Sequence, residues 1–181
     1  MAFITTRDIN SIQIPLYKSA SKILAEAATP SPTQTYDIFL SHSYSDSDFI
    51  IRLKIFFEEY GFSTYVDWIE DKKLNRNDVN KETADILKTR MKYCRSLVYV
   101  YTPNSTHSRW MPWELGYFDG IRSKVVVLPV LPSSNDKYSG QEYLGLYPYI
   151  DRAMNKVTQR EILWVNYDAT RYDEFSVWIK K

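Results

Sequence analysis

The sequence predicts an α/β domain built on an open, five-stranded parallel sheet with helices on both faces. Three observations predict it. Short apolar runs alternate with amphipathic stretches from Tyr36 to the end of the chain, and strands alternating with helices call for parallel pairing through crossovers. Two runs, Ser96–Tyr101 and Val125–Val130, are apolar almost without interruption, as strands covered on both faces must be. The 181 residues suit one domain with a short appendage.

The elements follow in order. Asp37–Ser41 reads as the first strand. Asp46 or Asp48 then caps a helix whose apolar face holds Phe49, Ile50, Leu53, Phe56, Phe57 and Tyr60, with Gly61 placed to end it. Ser63–Asp67 is β-rich, and Trp68–Asn80 reads as a charged loop. A helix over Lys81–Tyr93 turns Ile86, Leu87, Met91 and Cys94 inward, and leads into the strand Ser96–Tyr101. A polar loop, Thr102–Arg109, opens a helix near Trp110, and Val125–Val130 is the fourth strand. Pro132–Gly145 is rich in turn formers. A short helix is expected within Tyr147–Asn155, a fifth strand at Ile162–Val165, and a terminal helix capped by Thr170 with Tyr172, Phe175, Trp178 and Ile179 inward. Residues 1–35 read as an extension: an apolar stripe at helical spacing (Leu16, Ala20, Ile23, Leu24, Ala27) after Pro15, then the linker Thr29–Thr33.

Composition excludes several classes. Net charge is +1 with no basic stripe, which argues against a nucleic-acid surface. No apolar run approaches a membrane span, and no signal peptide is recognisable. One cysteine, Cys94, and two histidines argue against disulfides and structural zinc and for a reducing, cytoplasmic setting. There is no Gly-x-Gly-x-x-Gly and no Gly-x-x-x-x-Gly-Lys, so neither a dinucleotide cradle nor a P-loop is expected. Tyr101-Thr102 stands where a phosphoacceptor Asp would end the third strand of a receiver domain. Ser41 and His42 are adjacent on a strand and point to opposite faces, against a Ser–His triad.

In open α/β sheets the ligand crevice lies beyond the carboxyl ends of the strands. Ser41-His42-Ser43, Asp67-Trp68 and Thr102-Pro103-Asn104 gather there, and the next helix delivers Trp110 and Glu114 one turn apart on one face. Pro112 fits only the first turn of that helix. A carboxylate beside indoles is partly desolvated and poised for catalysis; the alternative is a Glu favoured by the helix dipole beside two core tryptophans.

Taken together, Tyr36–His42, Gly61–Asp67, Ser96–Thr102 and the Trp110-x-x-x-Glu114 element resemble the TIR (Toll/interleukin-1 receptor) domain, clearly over residues 36–131. The resemblance implies a flavodoxin-like TIR fold over 36–181. It makes Glu114 the catalytic carboxylate of an NAD+ glycohydrolase or cyclase that cleaves the nicotinamide–ribose bond. Ser41, His42, Ser43, Asp67, Trp68 and Trp110 would line the NAD+ pocket. No metal or cofactor is implied beyond NAD+ as substrate. The resemblance further implies self-association through TIR–TIR contacts and, in bacterial antiphage defence, a nucleotide product read by a downstream effector. Family members of a second kind are non-catalytic scaffolds that assemble signalling complexes, and a nucleoside-transferase-like enzyme using the same carboxylate is a third reading. One departure stands out: Asn77 occupies the place of a Gly that usually follows Leu74 in the BB loop. Both readings of Glu114 turn on whether it opens into a crevice at the sheet edge.

Overall fold

The computed structural model describes residues 3–14, 31–71, 80–133, 136, 138 and 142–181. The helix expected over Pro15–Ala27, the start of the linker at Thr29-Pro30 and the Leu74–Asn77 stretch lie outside the described residues.

Eight strands form one sheet among the described residues. They are β1 (Ile4–Thr5), β2 (Tyr36–Ser41), β3 (Thr64–Tyr65), β4 (Cys94–Tyr101), β5 (Val125–Leu131), β6 (Tyr149–Asn155), β7 (Arg160–Asn166) and β8 (Tyr172–Glu174). The order is β3-β2-β4-β5-β6-β7-β8, with β1 added beside β5. From β3 to β6 every pairing is parallel, which is the doubly wound order of flavodoxin-like folds. The helices are α1 (Thr6–Asn10), α2 (Ser47–Glu59), α3 (Asp67–Glu70), α4 (Lys81–Lys92), α5 (Trp110–Arg122) and α6 (Phe175–Trp178).

Two cores cover the two faces. On one, Ile38, Leu40, Val98 and Val126 meet Ile50, Leu53 and Phe57 of α2, with Ile9 of α1 and Phe175 of α6. On the other, Phe39, Leu97, Tyr99 and Val127 meet Leu87 and Met91 of α4 and Met111, Leu115 and Phe118 of α5. Alternation along β2 and β4 divides the side chains between these cores, and each fully buried Leu, Ile or Phe contributes about 1.5–3 kcal/mol. The α2 helix ends as its sequence requires. Gly61 takes φ +85°, and the amides of Gly61 and Phe62 close onto the carbonyls of Glu58 and Phe57, a Schellman closure that a side chain would strain. Asp46 precedes the helix but makes no capping bond.

The C-terminal third departs from the expected pattern. Tyr149–Asn155 is a strand, not a helix: it is the fifth parallel strand and also one arm of an antiparallel hairpin with β7. Asp151 and Arg152 imitate a helix's polar face in sequence. The deciding feature is the turn that follows, where Asn155 Oδ1 accepts the amides of Val157 and Thr158, an Asx turn that folds the strand back. Ile162–Val165 is a strand as expected, but it runs antiparallel. Thr170 caps no helix. Asp168 Oδ1 accepts the Thr170 and Arg171 amides at 2.9 and 2.8 Å and turns the chain into β8, leaving only Phe175–Trp178 helical.

The start of the chain joins the domain. Ile4 and Thr5 pair in parallel with Val130 and Leu131, and Ile4 and Ile9 are fully buried. Thr5 caps α1 reciprocally with Asp8, whose Oδ2 accepts the Thr5 amide at 2.8 Å. Asp8 also pairs with Arg152 of β6 at 3.3 Å.

Candidate active site

The strand order reverses between β2 and β4, since β2 leads to β3 on one side and β4 continues to β5 on the other. Crevices of doubly wound sheets open at such a switch point. Ser41 ends β2 and lies opposite Tyr99 of β4, and α5 starts just after β4. Ser41 and Glu114, 73 residues apart in sequence, meet here: Ser41 Oγ donates to Glu114 Oε2 at 2.6 Å. A short O–H···O⁻ bond of this kind is roughly twice as strong as a neutral one.

Pro112 sits third in α5, inside the first turn, where its missing amide costs nothing. Met111's amide is taken by Ser108 Oγ at 3.2 Å. The turn of helix between Trp110 and Glu114 puts both against the sheet, with Trp110 only 6% exposed. Trp110 meets Trp113 edge to face at 5.4 Å, and Trp113 stacks on Tyr117. Beneath them, burial pushes the Tyr99 phenol well above its usual range, with Tyr143 and the Glu114 charge adding to the shift. Glu114 is itself fully buried. The open crevice foreseen from the sequence is therefore not seen at this carboxylate. It faces a hydroxyl and aromatic surface, and a substrate would reach it only by displacing what covers it.

The remaining candidates fall into a second group. His42 points to the opposite face from Ser41, as strand alternation demands. Its Nδ1 lies 2.8 Å from the Leu40 carbonyl, and its Nε2 receives the Trp68 indole N–H at 2.9 Å. Since an indole only donates, Nε2 must carry a lone pair, and the proton sits on Nδ1. Asp67 Oδ1 is 3.8 Å from that Nε2, and both side chains are buried. Trp68 packs on the α2-side core. The structure thus joins Ser41, Trp110 and Glu114 on one side, and His42, Asp67 and Trp68 on the other. Ser43 follows Ser41 and His42 in the chain and is buried, its carbonyl accepting the Asp46 amide.

Two features escaped the sequence. Asp46, foreseen as a helix cap, clamps the two loops that flank the switch point instead: Thr102 Oγ1 donates to its Oδ2 at 2.7 Å and Asn104 Nδ2 to its Oδ1 at 2.6 Å. The readable signal was a polar triplet after each of the two strands that border the crevice. The second is Asp71, which closes α3. It takes a bidentate contact from Arg90 of α4, both bonds 2.7 Å, and the Tyr65 hydroxyl at 2.7 Å. This buried pair fixes the segment behind Asp67 and Trp68. Among the described residues no three His, Cys, Asp or Glu side chains cluster as a metal would need, and no helix is long and apolar enough to cross a membrane.

A doubly wound domain with a carboxylate at its switch point is thus the class that fold and site define. The family model described as "TIR domain" matches residues 38–164, and the chain belongs to the TIR-domain family. It is similar to a Bacillus cereus (strain MSX-D12) protein named as a probable 3′ cyclic ADP-D-ribose synthase, ThsB′. The two are 49% identical over 166 residues, covering 91% of this chain and 86% of the relative. A Cytobacillus dafuensis protein whose name reads "Putative cyclic ADP-D-ribose synthase TIR2" is 39% identical over 85 residues, 46% of this chain and 22% of that protein. Among solved structures, the TIR domain of the Toll-related receptor TRR-2 from Hydra magnipapillata aligns with a TM-score of 0.46 at 18% identity, over 64% of this chain and 82% of that one.

Proposed function

We propose that this TIR domain cleaves the nicotinamide–ribose bond of NAD+ and joins the freed anomeric carbon to another atom of the same molecule, giving a cyclic ADP-ribose. The observation that carries the reading is the Ser41–Glu114 pair at the switch point, in a chain 49% identical to a relative named for 3′ cyclic ADP-D-ribose synthesis. The C1–N bond breaks with its electron pair passing to the departing nicotinamide, which leaves neutral from a pyridinium and needs no general acid. The ribose left behind has oxocarbenium character, and a fixed carboxylate against it stabilises the developing charge. Ser41 holds that carboxylate in orientation. Capture by a ribose hydroxyl of the same molecule closes the ring and releases one proton, which Glu114 can take; capture by water gives linear ADP-ribose. Trp110 and its aromatic neighbours supply stacking surface. His42, Asp67, Trp68 and Ser43 border the pocket from the other side of the same strand ends, and no metal or other cofactor takes part.

The setting follows from the same reading. A cyclic nucleotide product serves a downstream effector in antiphage signalling in the cytoplasm, and assembly through TIR–TIR contacts uncovers the buried carboxylate. Activity then rises faster than linearly with protein concentration.

The test is nicotinamide release and product identity by chromatography and mass spectrometry, for the wild-type chain beside Glu114→Gln. The amide keeps the volume and loses the charge, so release should fall by at least a thousand-fold, about 4 kcal/mol. Equal turnover by both proteins removes Glu114 from the mechanism. The complete burial of Glu114 favours a second reading, a non-catalytic scaffold. No release by either protein, even when concentrated, selects it.

A further inference from the structure

At the opposite end of the sheet from Glu114, the N-terminal ends of β4 and β5 border a groove with no role in the proposed chemistry. Arg95, Arg122, Lys124, Lys180 and Lys181 line one cavity of about 590 Å³. In a chain whose net charge is +1, five cations around one hollow mark a local excess. Two are offset: Arg95 lies 3.5 Å from Asp37, and Lys181 lies 2.7 Å from Asp173. Arg122, Lys124 and Lys180 make no ion pair within 4 Å among the described residues, although Lys124 acts on Asp173 through space. Instead Arg122 Nη2 donates to the Lys92 carbonyl and Lys124 Nζ to the Trp178 carbonyl. A cleft lined by one sign of charge concentrates its counter-ion.

Lys124 also lines a second cavity, of about 420 Å³, whose walls include Tyr147, Tyr167, Trp178, Leu146 and Asp119. Its ammonium stands 4.9 Å over the Trp178 ring. Asp119, also in that lining, takes the Tyr147 hydroxyl at 3.0 Å on one oxygen, and its other oxygen can accept from an N–H donor. A cationic hollow and an aromatic one with an acceptor thus share Lys124 as a common wall. Each is of the size that holds a small molecule rather than a polymer.

We propose that this groove binds a free nucleotide, its phosphates in the cationic chamber and its base in the aromatic one. Phosphates suit guanidinium and ammonium donors. A base with an exocyclic amine meets the tyrosine faces and the Asp119 carboxylate. The site is separate from the catalytic edge: Arg95 lies four residues before Tyr99, so roughly 13 Å of strand divides it from the Ser41 level. The inference stands whether or not the chain consumes NAD+.

ADP, which has no nicotinamide–ribose bond to break, is the probe, titrated calorimetrically at low ionic strength into the Glu114→Gln protein. Adding Arg95→Glu and Lys180→Glu should weaken ADP at least ten-fold. Lys156→Glu with Arg160→Glu, the same charge change on the exposed β6–β7 hairpin, should stay within two-fold. Tyr167→Ala should weaken ADP at least five-fold and leave inorganic pyrophosphate within two-fold. Affinity for ADP unchanged by the Arg95 and Lys180 reversals overturns the site. Pyrophosphate binding as tightly as ADP overturns the base chamber. Thermal unfolding midpoints recorded for every variant separate lost binding from lost fold.

Discussion

β4 and β5 are buried along nearly their whole length, whereas β7 and β8 show solvent one flank and turn back on themselves. The parallel strands bring their carboxyl ends together at one edge, where Ser41, His42, Thr102 and the start of α5 collect. The antiparallel ribbon of β6, β7 and β8 alternates directions, so its ends are shared between both edges and no such gathering arises. None of the candidate catalytic or NAD+-pocket residues comes from it. A parallel sheet with helical crossovers concentrates loops of one kind on one edge, and function follows the loops. The ribbon closes the core instead, through Leu163, Val165, Phe175 and Trp178.

Four substitutions probe that division, and the largest effect lies in the parallel half. Asp71→Ala leaves Arg90 charged, buried and without its bidentate partner. Chemical denaturation should show a loss of about 3–5 kcal/mol, and a loss below 1 kcal/mol would mean that this pair does not hold the segment behind Asp67. Val165→Ala opens a cavity in the ribbon at a fully buried site, with about 2 kcal/mol lost, yet nicotinamide release per folded molecule should stay within two-fold of wild type. A large drop in release would erase the division between the halves. Ser41→Ala adds a catalytic effect: kcat falls about ten-fold, near 1.4 kcal/mol, beside a stability loss of roughly 1.5–3 kcal/mol, because the bond it removes holds and orients the buried Glu114 carboxylate.

The smallest effect has a sign that depends on pH. Asp151 is buried in β6, and burial raises its carboxyl above the usual range, partly offset by Asn166. A raised folded-state value means that the neutral acid is favoured in the fold. Its contribution is present below the unfolded carboxylate range and is lost as pH rises. Asp151→Asn should therefore raise Tm by about 2–4 °C at pH 7 and leave it unchanged near pH 3, as differential scanning calorimetry would read. A gain of equal size at both pH values would assign the effect to packing rather than charge.

Much of the parallel half was legible in the chain. Unbroken apolar runs marked β4 and β5 because burial on both faces forbids polar residues, and the opposed faces of Ser41 and His42 follow from strand geometry. Glu114 and Trp110 were legible because α-helical spacing forces them onto one side. The ribbon was obscure because its decisive signals are side chains that capture backbone amides, Asn155 and Asp168, which read from sequence as ordinary polar residues. Asp46 was misread for a related reason. A carboxylate before a helix predicts a cap, and only the fold shows that Thr102 and Asn104, more than fifty residues away, are the stronger claimants. The burial of Glu114 was out of reach too, since what covers a side chain depends on packing from distant segments.

The pairing of Ile4 and Thr5 with Val130 and Leu131 has a consequence for how the molecule is made. Ile4 and Thr5 leave the ribosome roughly 125 residues before Val130 and Leu131, the seat they occupy. They must wait exposed, apolar side chains included, while the rest of the sheet assembles. Contacts so distant along the chain close late and slowly. β1 is thus among the last elements to settle, and a bulky domain placed close before it would contend with the sheet for that seat.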